Sequence, residues 1–136
     1  MSLAAELICS GFARSLRFYT DVLGFTTMRY LPEQRRAELE RDSVAIEIIE
    51  RGADDAVGSL IYPFGRGLTL VVWTNEVDAV YAGVQAYGAR LHRPLAEVFT
   101  EEEAGRTGHL CFEVLDPDGY AIRFCQALPP PRSARS

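Results

Sequence analysis

A chain of 136 residues suits one compact domain or two small fused repeats, and a make-up of 48% hydrophobic and 24% charged residues is that of a globular protein. The net charge of −5 argues against a nucleic-acid partner, which needs a basic face, and suits a cationic ligand. No stretch is apolar over the length of a membrane span, and all 14 basic residues are arginine, which excludes Schiff-base chemistry by lysine.

The opening MSLAAELICSG lacks the basic start and long apolar run of a signal peptide, and its AELICS reads as a short strand. ARSLRFYTDVLG then places Leu16, Tyr19 and Leu23 on one helical face, with Gly24 as the C-cap. Three strand-like runs follow, FTTMRYL, RRAELER and VAIEIIE, separated by Pro32 and by Asp42-Ser43. GLTLVVW is the next strand. Asn75 is the expected N-cap of a second helix, in a capping-box arrangement with Asp78, and Gly88 closes it. ARLHRPL, HLCFEVL and YAIRFCQ complete the strands, and the Pro-, Ser- and Arg-rich end reads as a frayed tail. Cys9, Cys111 and Cys125 are odd in number and form no CxxC spacing, so they read as reduced thiols of a cytoplasmic protein.

The second half repeats the first. A shift of 64 lays Gly24 on Gly88, Leu16 on Val80 and Leu7 on Val71, whereas a shift of 76 lays DSVAIEII (42–49) on DGYAIRFC (118–125). The extra 12 residues fall in the acidic LAEVFTEEEAGRT, Leu95 to Thr107, expected to be a lid or mobile loop. The expected fold is therefore α+β: two βαβββ modules, 1–58 and 59–127, with curved mixed sheets around a cleft and a flexible tail at 128–136. The repeat pairs Glu47 with Arg123. Related by a pseudo-two-fold axis, both would point into the space between the sheets, where an ion pair could hold geometry more than add stability.

SLRFYTDVLGF (15–25) and DPDGYAIRF (116–124) together resemble the vicinal oxygen chelate superfamily of glyoxalases, bleomycin-resistance proteins and extradiol dioxygenases, over about residues 4 to 127. The resemblance implies the fold but leaves the chemistry open, since one superfold hosts many functions. Enzymes of the family hold one divalent metal on the first and last strands of each repeat. Those positions fall here on Ala4, Glu47, Leu68 and Arg123, and only Glu47 can ligate. The arginine of YAIRF is similar to the antibiotic-resistance branch. That branch implies a metal-free homodimer, with no cofactor, that captures a small cationic ligand in clefts at the dimer interface. On this reading no residue is catalytic. Glu47, Arg123, Leu68 and Leu70 line the cleft, Phe99 and Tyr62 stand near its mouth, and Trp73 either stacks on the ligand or covers an interface. The alternative is a metal-dependent lyase, isomerase or dioxygenase of the same superfamily with rearranged ligands. His92 and His109 lie outside the family positions. A site made from His109, Glu113 and Glu47 is disfavoured, because four residues along a strand span roughly 13 Å.

Overall fold

A computed structural model describes residues 4–51, 60–103 and 105–129. The first module comprises β1 (Ala4–Cys9), α1 (Phe12–Arg17) continuing into a π-helical turn (Phe18–Val22), β2 (Thr26–Leu31), β3 (Arg36–Arg41) and β4 (Val44–Glu50). The second comprises β5 (Thr69–Trp73), α2 (Val77–Tyr87), β6 (Leu91–Glu102), β7 (Gly105–Leu115) and β8 (Ala121–Ala127). Each module makes one mixed, open, four-stranded sheet, ordered β1-β4-β3-β2 and β5-β8-β7-β6, in which the first and last strands of the module pair in parallel. The expected junction between the modules, at 58/59, and the tail from 130 onward lie outside the described residues.

Alternation along the strands gives each sheet a helix-covered face and an open face. Leu7, Cys9, Ala37, Leu39, Ile46 and Ile48 face the helix in the first sheet; Val72, Phe112, Val114, Ile122 and Phe124 do so in the second. With Phe18, Tyr19, Leu23, Val77 and Val84 from the helices they form one continuous core. That core spans both modules, so neither sheet buries its apolar face alone.

The internal repeat is present with one correction. The parallel registers set Glu6 opposite Glu47 and Val71 opposite Arg123, so the first strands superpose with a shift of 65, not 64. Helix starts agree, Phe12 with Val77, while the positive-φ glycines at the helix ends, Gly24 just past the C-cap Leu23 and Gly88 at the C-cap itself, remain 64 apart. The π-turn at Phe18–Val22 inserts the extra residue. Leu7 therefore matches the buried Val72, and Val71 is exposed.

Two local expectations also change. The described residues of Leu95 to Thr107 are no loose loop; they belong to the distal half of the long β6–β7 hairpin, paired from Ala96–Cys111 to Glu102–Gly105. Val98, Phe99 and Thr100 favour extended backbone, and the acidic side chains stay solvated on a two-stranded arm. Asn75 is not the cap of α2. Glu76 occupies that position without a side-chain cap, and the Val77 N–H donates instead to Oε1 of Gln126 on β8, 3.1 Å away.

The turn between β7 and β8 ties the modules together. Asp116 is buried and accepts the Tyr19 hydroxyl at 2.7 Å, the Asp118 N–H at 2.8 Å and the Tyr120 N–H at 3.0 Å. Asp118 accepts the Ser10 N–H and hydroxyl, and the Tyr120 hydroxyl donates to the Ile8 carbonyl. Gly119, at φ +93°, closes the turn where a Cβ would meet Pro63 at 2.5 Å. Burial pushes the Asp116 carboxyl up to about 6, against the pull of its three donors. Asp116→Ala is expected to cost on the order of 3 kcal/mol in urea unfolding, because three buried donors lose their acceptor. Asp116 contributes most stability below its unfolded value of 3.8, and that contribution is lost as pH rises to about 6. Asp116→Asn should remove this component of the pH profile; an unchanged profile would contradict the assignment.

Candidate functional site

The two open faces hold the polar side chains that a ligand would meet. On the first sheet, Glu6, Glu47 and Glu38 lie in one row across β1, β4 and β3, with Arg29 next on β2. Ala4, Glu6, Met28, Glu38, Glu40 and Glu47 help line a shallow cavity of about 330 Å³ there. Burial raises the Glu47 carboxyl, and a hydrogen bond shared with Glu6 raises it further; Arg36, 3.2 Å from Glu47, opposes both. The row thus concentrates more negative charge than its arginines neutralise. Such a surface holds a proton in common or accepts a cation.

On the second sheet, Arg123 lies between Val71 on β5 and Glu113 on β7. Its Nε donates to Oε1 of Glu113 at 3.0 Å, and Nδ1 of His92 lies 2.5 Å from the other carboxylate oxygen. Glu113 is only 3% exposed. Burial pulls its carboxyl upward, but the contacts with His92 and Arg123 outweigh burial and leave it below the usual 4.5. Arg123 and Glu47 thus occupy the open faces of different sheets, each with a partner in its own sheet. Among the described residues no ion pair joins them, so the cross-sheet pair expected from the repeat is not formed within the chain.

The remaining candidates separate. Leu70 packs against the core, so its assignment to the cleft is corrected; the one-residue offset of the repeat exchanges it with Val71, which is on the open face. Leu68 is exposed beside His92 and Glu113 at the end of that face. Tyr62 lines a cavity of about 500 Å³ with Arg14, Phe18, Tyr87, Arg90 and Asp116, and its hydroxyl accepts from Arg90 at 3.1 Å. Phe99 lies on the hairpin arm under the Arg106 guanidinium, 4.3 Å from its ring centre. Trp73 stands on the open face, 53% exposed, its ring 5.4 Å from that of His109.

Several polar groups escaped the sequence reading. Glu6 became visible only through the parallel β1–β4 register. The His92–Glu113–Arg123 group depends on an irregular β6–β7 register that no local pattern encodes. His109, Cys111 and Cys125 converge on the open face with their ligand atoms within 4.8 Å of one another. The alternation of HLC and the DPDG hairpin register could have revealed that convergence.

The positions where resemblance places the family's metal do not fit one. Ala4 and Leu68 offer no donor, Thr69, which the corrected register makes the mate of Ala4, offers only a neutral hydroxyl, Arg123 is a fixed cation, and Glu47 is engaged with Glu6 and Arg36.

Solved structures with the same fold include TioX from Micromonospora sp. ML1, with 21% identity and a TM-score of 0.68 over 94% of this chain and 99% of that one. Virulence protein STM3117 from Salmonella typhimurium is 20% identical, with a TM-score of 0.64 over 94% and 96% of the two chains. A glyoxalase/bleomycin resistance protein/dioxygenase from Alicyclobacillus acidocaldarius is 15% identical, with a TM-score of 0.65 over 95% and 92%. Among proteins of curated function the sequence has no match. The model of the Glyoxalase/Bleomycin resistance protein/Dioxygenase superfamily matches residues 3–124, and with its paired modules and mixed sheets the chain belongs to that superfamily.

Proposed function

We infer that this chain is a cytoplasmic small-molecule-binding protein that acts by capture rather than catalysis, and that its ligand is cationic. The observation that carries the reading is the make-up of the four positions that resemblance assigns to metal: two have no donor, one is a cation and one is a carboxylate shared with its neighbour. A hard divalent ion has too few ligands there and meets repulsion from Arg123. The Glu6–Glu47–Glu38 row supports a cationic ligand, because a bound positive charge would relieve repulsion among three neighbouring carboxylates. Nucleic acid is not the partner on this reading, given the net charge of −5.

The functional unit in this reading is a homodimer. Met28, Val71 and Trp73 are exposed on or beside the open faces, and covering them with a second copy would remove apolar area from water. Setting the first sheet of one copy against the second sheet of the other closes a cleft with Glu47 on one wall and Arg123 on the opposite wall. Two such clefts arise by symmetry.

Sedimentation velocity at micromolar concentration is expected to give a dimer; a monomer at every concentration would contradict this arrangement. In thermal-shift titrations, bleomycin or another cationic glycopeptide should raise Tm, since a ligand that binds only the folded state adds to its stability. Glu47→Gln should lose most of the shift. The shift should also grow as pH rises above the usual carboxylate range, because binding a cation requires Glu47 to release its proton. Absence of a shift at excess ligand, or an equal shift in the variant, would count against cation capture.

A further inference from the structure

The open face of the second sheet carries a donor set that the capture reading does not use. Cys111 on β7 stands directly opposite Cys125 on β8, and His109 lies two residues before Cys111, on the same side of its strand. The donor atoms of all three lie within 4.8 Å of one another. No hydrogen bond or ion pair among the described residues engages the His109 ring, which is held by its edge contact with Trp73. All three thiols of the chain are free, and the third, Cys9, is buried in the core on the helix-covered side of the other sheet.

We propose that His109, Cys111 and Cys125 form a binding site for a borderline-soft metal ion of the zinc class, separate from the four positions where the family keeps its metal. The donor chemistry selects the ion: two thiolates and an imidazole suit zinc and disfavour magnesium, calcium or manganese, which prefer oxygen. The charges also balance, since two thiolates cancel a divalent cation. Arg123, two residues before Cys125 on the same face, does not oppose the ion as a bare charge, because Glu113 neutralises it at 3.0 Å. The geometry needs little change. Zinc–sulfur bonds of about 2.3 Å and zinc–nitrogen bonds of about 2.0 Å bring tetrahedral ligand atoms to roughly 3.5–3.8 Å. Small rotations of the side chains reach this from the present spacing, and the directly opposed strand register already fixes the two cysteine backbones. Three protein ligands leave the fourth position open toward the face where Trp73 stands. A water molecule or a ligand donor would complete the shell there, the arrangement that distinguishes reactive zinc sites from closed structural ones.

The test uses the full-length protein, reduced and freed of metal by a chelator, and titrated with Cd²⁺ as the zinc-class probe. The expected result is a thiolate-to-metal charge-transfer band that saturates at one equivalent per chain, with a concurrent change in the emission of Trp73, the only tryptophan. Cys111→Ser should lose the band. This cysteine is only partly buried, so the variant should keep its fold by circular dichroism. His109→Ala should lose stoichiometric binding at the concentration that saturates the wild type. Glu47→Gln should bind Cd²⁺ as the wild type does, which separates this site from the acidic row. No band in the reduced wild type, or a band that survives Cys111→Ser, would overturn the proposal. So would a Cys111–Cys125 disulfide that forms in air and, once reduced, takes up no Cd²⁺. The titration involves no organic ligand, so its failure leaves cation capture standing, and failure of capture leaves this site standing.

Discussion

Two aspartates in one tight turn set the arrangement of the whole molecule. Asp116 reaches back to Tyr19, and Asp118 to Ser10, so the last hairpin of the second module is fastened to the first strand and helix of the first. The turn could not close without glycine at position 119, and Pro63 leaves no room for a larger residue. Arg41 adds a second tie, with Glu76 at 3.0 Å and the Phe124 ring below its guanidinium. These contacts are made on the helix-covered side. They unite the two apolar faces into one core and leave both open faces available. A buried carboxyl group with three donors would be costly if any donor were lost, so these contacts hold the turn in one arrangement.

The two open faces have diverged in chemistry although they descend from one pattern. The first presents a row of carboxylates. The second presents an arginine bound to a buried glutamate, then a histidine and two thiols beside an exposed tryptophan. A single substitution type at equivalent positions, Glu47 against Arg123, changes what each face can hold. The first gathers carboxylates in one row. The second neutralises its own cation locally and keeps softer donors beyond it.

Much of this was legible in the sequence. Glycines 24 and 88, both at positive φ, mark the two helix ends, Asp42-Ser43 supplies a turn with φ of 47° and 69°, and the repeated order of elements sets the fold. What escaped was long-range or depended on a single residue. Helical periodicity does not expose the π-turn at Phe18–Val22, yet the residue it inserts shifts the alignment of β5 by one and exchanges Leu70 for Val71. The partner of the Val77 N–H is a glutamine 49 residues away, so Asn75 looked like the cap when only local chemistry was considered. Glu101, Glu102 and Glu103 resemble a solvated loop, but charged residues on both sides of a hairpin arm give the same pattern.

In the proposed dimer the open face of one copy's first sheet meets the open face of another's second sheet across a ligand-sized cleft. A crystal structure of the protein with a bound cationic glycopeptide tests it most directly. The expected result is the ligand's positive charge against Glu6 and Glu47 of one copy, with Arg123 of the other on the facing wall. Open faces left to solvent, with the ligand bound elsewhere, would contradict it.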